Sequence, residues 1–599
     1  MFKKILLLLL FLPIYLFAWK MESGTAALSA TAVGSSSWQT VTLQQSYDTT
    51  PLIFAFIDEG SGYNGDSSVA LRVRNISTTS FEIVQVEPQS SVGDVEGEHA
   101  AVNVHYVAIE AGNHTLSDGT RFLAGIHNTN SSLGKNDGVT DVWDTVNFSS
   151  SFSTTPVILS NIQSMNNEIS TLPGASSRPW MVTALRDNTT TNFQVSLERA
   201  ETSDGSINVS EDIGYLAIES NVQSSIYDTS CNAISYETIR TSDSVRGWDS
   251  GCYSVSFINA YTTVPNVLGT QETRDGGDGG WLRQCSSGTG TVGITVDEDQ
   301  AGDIERAHTT EIAGLLIFEN DFVYDSTFNT IGCGLNIEYR MDECYWLNGS
   351  GGVIGDVKDT SSNAKDATSS GIAAIIENTG NPPMCNYGNF TAQPDQVATE
   401  DGTVGNSSGG VSISVWLKPS AMTVWQAIVT KSKAYSWNDG WGLVHYSGDA
   451  DNEIRFFVNN YNNDIKTALT LDQWNHVIAT YDNQTLRIYV NGVENLPAVS
   501  YAASIVNSAM TDPIRIAYDD PGDDEYIGGV DELKIWDKAL TSTEINDIYN
   551  NEKSGSNYDD GTPRICPTCE TDITAGAWEF IGIPADLRTE TNKDVSDVF

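Results

Sequence analysis

A short stretch rich in tryptophan and amide side chains holds the residues of this sequence that are best suited to binding a sugar. Trp437, Asn438, Asp439 and Trp441 lie almost side by side, and Trp425 precedes them. An aromatic ring can stack on the apolar face of a sugar, while Asn and Asp hydrogen-bond to hydroxyl groups. We predict a glycan-binding site at Trp437, Asn438, Asp439 and Trp441. Packing in the core is the alternative role, above all for Trp441.

The same sequence does not indicate a catalytic site. Hydrolysis of a glycosidic bond needs two carboxyl groups about 5–10 Å apart across a cleft, whereas a β-strand directs the neighbours Asp531 and Glu532 to opposite faces. The sequence has no His-Glu-x-x-His motif, and its seven histidines show no metal-ligand spacing. We therefore predict no enzymatic activity; a polysaccharide-active enzyme whose catalytic part is missing is one alternative. The histidines are His99, His105, His114, His127, His308, His445 and His476.

The segment that must position the tryptophan-rich stretch alternates apolar and polar residues in short runs. Val, Ile, Tyr, Phe and Trp dominate these runs, and turn-forming pairs such as Asn-Gly separate them. This pattern predicts antiparallel strands in two packed sheets. Thr541 and Glu544 form a capping-box pair before an apolar helical face, so we expect one short helix after the last strand. The predicted strands are 411–419, 425–431, 441–446, 454–459, 474–482, 486–492, 513–519 and 528–536.

Three features of this segment resemble the laminin-G-like, concanavalin-A-like jelly roll of bacterial proteins. They are the run Trp474–Val477 with the strand and turn at 486–492, the closing run Gly529–Trp536, and the helix that follows Ala539. The resemblance covers roughly 335–552. It implies a jelly roll that binds glycans or proteins and holds a calcium ion.

The resemblance also implies where calcium would bind, because the early loop and the last long strand of such domains meet at one rim. Asp356, Asp359 and Asn363 lie in the early loop, and Asp531 lies in the last strand. Calcium requires several oxygen ligands that converge on one point. We predict that these four residues bind calcium. The acidic run 519–525 is a second candidate, and an ordinary solvated acidic loop is the alternative to both.

Upstream of the jelly roll, the sequence repeats itself three times. Trp38, Trp143 and Trp248 recur every 105 positions, and each begins a similar series of β-like runs. A repeat this long is a whole domain, so we predict three small β-sandwiches in tandem and an all-β chain. The order of aromatic and proline positions resembles the H-type lectin domain, without a ligand motif to transfer, and the recurring aromatic rings are expected in the cores. The predicted bounds are 19–125, 126–225 and 226–325.

The N-terminus indicates export. Lys3 and Lys4 precede an apolar stretch that is interrupted by Pro13 and ends at Ala18, which predicts a signal peptide at 1–18, with an uncleaved anchor as the alternative. No later segment is apolar enough to span a membrane. The net charge of −47 argues against nucleic acid as a partner. We expect a secreted, periplasmic or cell-surface protein that binds glycans or surface proteins.

All eight cysteines lie in the exported part, and an even number of cysteines in an exported chain predicts disulfides. The jelly-roll resemblance implies that Cys344 pairs with Cys385. Cys566 and Cys569 form a Cys-x-x-Cys motif. A local disulfide is favoured there over half of a zinc site or a redox pair, because no second motif of this kind accompanies it.

We interpret the chain as an exported carbohydrate-binding or adhesin-type protein, with the jelly roll as its binding module and the repeats as spacers or auxiliary lectin-like domains. The order of signal peptide, β repeats, jelly roll and Cys-x-x-Cys linker is similar to that of accessory proteins of mannose-sensitive haemagglutinin-type pili. A structural cell-surface or pilus component without glycan specificity is the main alternative. Residues 553–599 are expected to form a linker and the start of a further β segment.

Overall fold

In the computed structural model the chain divides into two compact units, residues 1–330 and 331–599. Strands dominate both units, which confirms the predicted all-β class. No described helix is both long and apolar enough to cross a lipid bilayer. The predicted signal peptide up to residue 17, Cys569 and most of the acidic run 519–525 lie outside the described residues. Those described are 18–30, 38–58, 68–86, 100–116, 118–134, 141–167, 179–199, 206–299, 305–348, 354–377, 385–392, 394–407, 409–420, 422–433, 436–509, 511–518 and 525–567.

The first unit consists of short antiparallel strands arranged in small sandwiches. Its strands are β1 Lys20–Leu28, β2 Gln39–Thr42, β3 Leu52–Asp58, β4 Ala70–Arg74, β5 Ser80–Val86, β6 Val102–Ile109, β7 Gly112–Thr115, β8 Arg121–Thr129, β9 Ser132–Leu133, β10 Asp144–Asn147, β11 Val157–Ile162, β12 Val182–Arg186, β13 Asn192–Glu198, β14 Glu211–Ile218, β15 Gln223–Tyr227, β16 Ala233–Arg240, β17 Tyr253–Ser256, β18 Asn266–Gln271, β19 Trp281–Ser287, β20 Thr291–Asp297, β21 Ala313–Phe318 and β22 Phe322–Asp325. Three four-stranded sheets have the orders β22-β1-β6-β3, β11-β14-β8-β7 and β15-β16-β21-β18. The facing sheets have the orders β2-β5-β4, β10-β13-β12 (with β9 beside β13) and β17-β20-β19.

The three repeats exchange strands in a closed ring. β7 follows the last strand of the first repeat but pairs with β8 in the sheet of the second repeat. In the same way, β15 follows the second repeat but pairs with β16 in the sheet of the third. β22 follows the third repeat and pairs with β1, at the start of the unit. The predicted boundaries after residues 125 and 225 therefore fall inside β8 and β15, and the repeats form one interlocked unit.

One hydrophobic core is shared by all three repeats. Phe54 of β3, Leu159 of β11 and Leu268 of β18 lie in the same cluster of buried side chains. The amide of Ile53 donates a 2.9 Å hydrogen bond to Gln163 Oε1, which links the first repeat to the second. A strand that is buried on both faces carries apolar residues at successive positions, which explains the continuous apolar run of β3.

The tryptophans that mark the repeats lie at the surface of their sandwiches. Trp38, Trp143 and Trp248 are each partly exposed, so the expectation of a core position is wrong for these three rings. It is confirmed for the recurring rings of Phe81, Tyr106 and Phe193, which are buried in the cores. A guanidinium group lies over each tryptophan ring. The cation–π contact and the cover provided by the arginine side chain both stabilise a tryptophan in a partly exposed position. The covering residues are Arg74 at 3.9 Å, Arg186 at 4.2 Å and Arg306 at 4.1 Å from the ring centroids of Trp38, Trp143 and Trp248, respectively.

The second unit is a jelly roll of two packed sheets, and strands predicted at 411–419 and 528–536 are confirmed residue for residue. Its strands are β23 Leu335–Tyr339, β24 Ala367–Ser370, β25 Ala374–Glu377, β26 Asn386–Phe390, β27 Gln396–Thr399, β28 Val411–Pro419, β29 Gln426–Lys431, β30 Trp441–His445, β31 Glu453–Val458, β32 Asn460–Ala468, β33 Asn475–Tyr481, β34 Thr485–Val490, β35 Val493–Glu494, β36 Val499–Ser500, β37 Arg515–Ile516 and β38 Gly528–Trp536. The nine-stranded sheet has the order β25-β26-β38-β28-β33-β34-β35, with β23 beside β38 and β36 beside β34. The seven-stranded sheet has the order β24-β27-β37-β29-β30-β31-β32.

The predicted helix, α1 Ser542–Lys553, covers the outer face of the nine-stranded sheet. Its capping box is present: Thr541 Oγ1 accepts from the amide of Glu544, whose carboxylate accepts from the amide of Thr541. On the helix, Tyr549 stacks against Trp416 and His476 of the sheet. The part of the outer face around Trp416 and His476 is thereby covered by the helix.

The segment after α1 corrects both predicted cysteine pairs. Cys566 forms a disulfide with Cys385, with their Cα atoms 5.2 Å apart, so the predicted Cys344–Cys385 and Cys566–Cys569 pairs are wrong. The reason is that the chain after α1 does not leave the jelly roll as a linker. Arg564 donates a 2.5 Å hydrogen bond to Glu532, and this return of the chain brings Cys566 to the start of β26.

Candidate functional site

The outer face of the seven-stranded sheet carries a cluster of aromatic rings. Along β31, Ile454, Phe456 and Val458 point into the jelly-roll core, so the alternation of a strand directs Phe457 outward. Four further rings surround Phe457 on this side. We call the five residues the aromatic face; they are Trp425, Trp437, Tyr446, Phe457 and Tyr461.

The rings of the aromatic face contact one another closely. The Trp425 ring centroid lies 4.5 Å from that of Tyr446, 5.8 Å from that of Trp437 and 6.3 Å from that of Tyr461. Trp437 is nearly parallel to Tyr446, at 17°, and to Phe457, at 25°. Aromatic pairs at such distances contribute about 0.5–1.5 kcal/mol each beyond their buried area, so the rings support one another.

Exposure separates the rings of the aromatic face into two groups. Trp425 keeps 38% of its surface exposed, whereas Trp437 keeps 7% and Tyr446 is equally buried. Trp425 therefore offers the ring surface that a ligand can reach. Trp437, which the sequence predicts as a binding residue, lies in this cluster but acts mainly as a support beneath Trp425.

The turn between β29 and β30 holds Trp437 in place. The carbonyl oxygen of Trp437 accepts a 2.9 Å hydrogen bond from the amide of Tyr461. Gly440 adopts a positive φ of 57°, and a Cβ atom there would lie 1.7 Å from the carbonyl oxygen of Lys431. A glycine is therefore required at this close approach of two backbones.

The amide and carboxylate of the predicted site have different roles. Asn438 is exposed, and its side-chain oxygen accepts a 2.6 Å hydrogen bond from the amide group of Asn460. Asp439 instead accepts from the hydroxyl of Ser432 and from the amide of Lys433, at 2.9 and 2.7 Å. Asn438 and Asn460 thus remain accessible beside the aromatic face, whereas Asp439 holds the turn.

A guanidinium group and two carboxylates form a closed set on the same face. Arg455 lies 4.1 Å from the ring centroid of Tyr446. It donates to both carboxylate oxygens of Asp449, at 2.5 and 2.6 Å, and to Asp464 at 2.7 Å. These hydrogen bonds raise the pKa of Arg455 above its ordinary value and lower that of Asp449.

Trp441 lies in the core and not at a ligand surface. Its side chain is completely buried, and its indole N–H donates a 2.9 Å hydrogen bond to the carbonyl oxygen of Gly405. The prediction of Trp441 as a glycan-binding residue is therefore corrected in favour of the alternative role. The reason is the strand alternation of β30, which turns Trp441 inward and leaves Tyr446, just beyond the strand, on the outer side.

A Gly-x-Ser-x-Gly sequence at 405–409 has no catalytic surroundings in the structure. Ser407 is buried, and its hydroxyl donates to the carbonyl oxygens of Gly410 and Asp537. A nucleophilic serine of this motif would stand exposed on a turn between a strand and a helix. Ser407 acts instead as a link between two backbone segments.

The predicted calcium ligands of the early loop already have hydrogen-bond partners. Asp356 accepts from the amides of Leu347 and Ser369 at 2.6 and 2.8 Å. Asp359 accepts from the amides of Glu338 and Lys365, at 2.8 and 2.7 Å. Both carboxylates therefore fold the loop, and Asn363 adds to this by donating to the carbonyl oxygens of Leu335 and Asn336.

Asp531 stands apart from the other predicted calcium ligands. It is completely buried, and neither of its carboxylate oxygens has a hydrogen-bond partner among the described residues. Burial, together with the charges of Glu532 and Asp342, raises its pKa well above the ordinary value. Within the described chain, no group of three or more His, Cys, Asp or Glu side chains is arranged to hold a metal ion.

Next to Asp531, a set of buried ions joins β38 to α1. Lys534 Nζ donates to Glu532 at 2.5 Å and to Glu552 at 2.7 Å. Glu552 also accepts from the indole N–H of Trp416 at 2.7 Å, and it lies 3.3 Å from His476 Nε2. Each charge is paired, as buried ions must be, so this cluster serves to attach the helix.

Comparison with known proteins supports the architecture of the second unit. Residues 391–546 match the family model of the concanavalin A-like lectin/glucanases superfamily. This segment is a concanavalin A-like domain. It extends from β27 into α1 and contains every residue of the aromatic face.

One curated relative and several solved structures are similar to parts of the chain. Halomucin from Haloquadratum walsbyi is 27% identical over 289 residues, which are 47% of this chain and only 3% of halomucin. Domain 4 of AbnA, a GH43 extracellular arabinanase from Geobacillus stearothermophilus, in complex with arabinotriose, is 21% identical, with a TM-score of 0.28 over 36% of this chain and 97% of that domain. The receptor-binding domain of botulinum neurotoxin D is 15% identical, with a TM-score of 0.28 over 37% of this chain and 54% of the other.

The structure adds residues to the candidate site that sequence reasoning did not assign to it. Tyr446, Phe457 and Tyr461 come from three different strands or strand ends, and they join Trp425, which the sequence already places before the predicted site. The signal was present in the sequence: these aromatic residues sit at positions that the strand alternation directs away from the core. Sheet order was needed to show that four strands in sequence bring them to one surface.

Proposed function

We propose that this protein is an exported glycan-binding protein of the adhesin type, and that the aromatic face of its jelly roll binds the glycan. The observation that carries the proposal is the exposed ring of Trp425, which is supported from below by Trp437 and Tyr446. An exposed tryptophan is otherwise an apolar liability, and a supported one is a stacking surface. The match of residues 391–546 to a lectin-containing superfamily agrees with this function.

The arrangement binds a sugar through two kinds of contact. The Trp425 indole stacks on the apolar face of a sugar ring, and Tyr461 presents its edge to Trp425 at 84° and closes one side. The amide groups of Asn438 and Asn460 lie on the polar side and can donate to and accept from hydroxyl groups. No step of bond cleavage is required of these residues.

Substitution of Trp425 in the full chain tests the proposal. Binding to immobilised neutral polysaccharides (arabinan, xylan, galactan and mannan) is measured for the wild type and for Trp425→Ala. We expect the variant to bind at least about tenfold more weakly, which corresponds to about 1.4 kcal/mol. Trp474→Ala is the matched control, because Trp474 is also partly exposed but packs on Gly529 of the other sheet.

The result separates the proposed function from its alternative. Loss of binding in Trp425→Ala, with full binding in Trp474→Ala, supports glycan recognition by the aromatic face. If the wild type binds no polysaccharide of the panel and no glycan of an array, the proposal is overturned in favour of a structural surface component.

Calcium remains part of this proposal at Asp531. The buried carboxylate without a partner is the kind of oxygen donor that a calcium ion takes, whereas Asp356 and Asp359 are occupied by backbone amides. Bound there, calcium would supply the positive counter-charge that the buried Asp531 carboxylate lacks.

A further inference from the structure

We infer that the aromatic face selects neutral glycans and rejects glycans that carry carboxylate or sulfate groups. This inference rests on the proposed function and names the class of its ligand. It follows from the charges that surround the five rings. A site for acidic sugars needs a cation that is free to meet the ligand.

The guanidinium on the aromatic face is not free in this sense. Arg455 makes three short hydrogen bonds, two to Asp449 and one to Asp464, and lies over the ring of Tyr446. Two carboxylates share one guanidinium, so the group as a whole carries a net negative charge. A ligand carboxylate would have to displace one of them to reach Arg455.

The nearby lysine is neutralised in the same way. Lys466 Nζ lies 3.2 Å from Glu453 and 3.8 Å from Asp449. Arg455 and Lys466 are therefore outnumbered by the three carboxylates that they contact, those of Asp449, Glu453 and Asp464. The chain as a whole adds to this field, with a net charge of −47.

The neutral donors beside Trp425 point to the opposite class of ligand. Asn438 is exposed and Asn460 is half-buried, and such amides hydrogen-bond to hydroxyl groups without requiring a charge. An aromatic ring with amides beside it and carboxylates around it suits an uncharged hexose or pentose polymer.

A pair of polymers that differ only in charge tests this inference. Galactan and mannan are compared with the same polymers after partial oxidation of their primary hydroxyls to carboxylates, with the full chain at 0.15 M and 1 M NaCl. We expect at least about tenfold weaker binding of the oxidised forms at 0.15 M salt. The difference should shrink at 1 M salt, where the screening length falls to about 3 Å.

A charge variant locates the effect. In Asp464→Asn, Arg455 loses one of its two carboxylates, so binding of the oxidised polymers should rise by about fivefold, the effect of one charge near 4 Å in water. Asp451→Asn removes the same charge from an exposed side chain for which no contact with Arg455 is seen, and it serves as the control. A smaller rise in Asp464→Asn than in Asp451→Asn would overturn the role of Arg455.

Failure of the inference can be told apart from failure of the proposed function. If the oxidised polymers bind as tightly as the neutral ones, and Trp425→Ala abolishes both, the aromatic face binds glycans but does not select against charge. If neither form binds in either salt, the proposed function itself is overturned and the inference falls with it.

Discussion

The backbone amide of Trp19 donates a 2.8 Å hydrogen bond to Ser326 Oγ, 307 positions further along the chain. This contact belongs to the pairing of β1 with β22, which closes the ring of three repeats. The end of the third repeat thereby completes the sheet of the first. A unit built in this way should lose stability as a whole when its closing strand is weakened.

The first prediction concerns this closing strand. Phe322 of β22 is almost completely buried in the core that the three repeats share. Phe322→Ala should lower the free energy of unfolding of the first unit by about 3–5 kcal/mol, because a buried ring is replaced by a cavity. Urea unfolding measures this loss. Val264→Ala, at an exposed position of the same unit, should change it by less than about 0.5 kcal/mol, and equal curves for the two variants would contradict the shared core.

The second prediction separates the two tryptophans of the aromatic face. Trp437 is buried among Tyr446 and Phe457, so Trp437→Ala should destabilise the jelly roll by about 3–5 kcal/mol. Trp425→Ala should cost less than Trp437→Ala, because part of the Trp425 ring is exposed, while it weakens glycan binding. Thermal unfolding of both variants shows which substitution destabilises the jelly roll more. A larger loss of stability for Trp425→Ala would place that ring in the core.

The third prediction concerns the disulfide between Cys385 and Cys566. This bond closes a loop with a sequence separation of 181, and its removal should cost about 2–5 kcal/mol. Cys385→Ser and Cys566→Ser should therefore lower the melting temperature of the jelly roll to a similar extent. Mass spectrometry of a non-reduced tryptic digest provides an independent check: it should contain a peptide that links these two cysteines. A peptide that links Cys344 to Cys385 instead would restore the original prediction.

The fourth prediction concerns calcium at Asp531. Excess calcium should raise the melting temperature of the jelly roll, because a ligand that binds only the folded state stabilises it by mass action. Asp531→Asn should abolish this shift, and the exposed Asp451→Asn should preserve it. Identical wild-type melting curves in calcium and in chelator would mean that Asp531 is a buried acid with no metal partner.

The fifth prediction concerns pH and the buried Glu552. Burial by itself raises the pKa of this carboxyl, but Lys534 and His476 outweigh burial and lower its pKa to about 2. A carboxyl whose pKa falls on folding stabilises the folded state at pH values above its unfolded-state pKa of about 4.3. This contribution is lost as the pH falls toward 2. Glu552→Gln should remove this acid-dependent term and cost about 3–5 kcal/mol at pH 7, since it leaves Lys534 short of a partner.

Urea unfolding at pH 7, 4 and 3 measures the pH dependence of the Glu552 variant. Glu494→Gln is the matched control, because Glu494 pairs with Arg487 in a more exposed position and should contribute little. An equally steep loss of stability in acid for Glu552→Gln and the wild type would show that another group carries the effect.

The sequence by itself determined most of the longer strands of the jelly roll and its capped helix. The predicted strand 513–519 is reduced to Arg515–Ile516, and β32 was not predicted. The alternation of apolar and polar residues at 411–419 and 528–536 is a local signal, and each residue there contributes to it independently of the rest of the fold. The pair Thr541 and Glu544 is likewise local, since a capping box is complete within one turn of helix. The three repeats were visible from the recurrence of Trp38, Trp143 and Trp248 at intervals of 105 residues.

Only the tertiary structure decided which tryptophan faces solvent, which cysteines pair and how the repeats join. The exposure of Trp425, Trp437 and Trp441 depends on sheet order and on which face packs in the core, and their local sequences do not contain this information. Cys385 and Cys566 meet because the chain returns over the nine-stranded sheet after α1. The pairing of β1 with β22 is equally non-local: these two strands are far apart in sequence and meet only when the intervening strands have closed the ring.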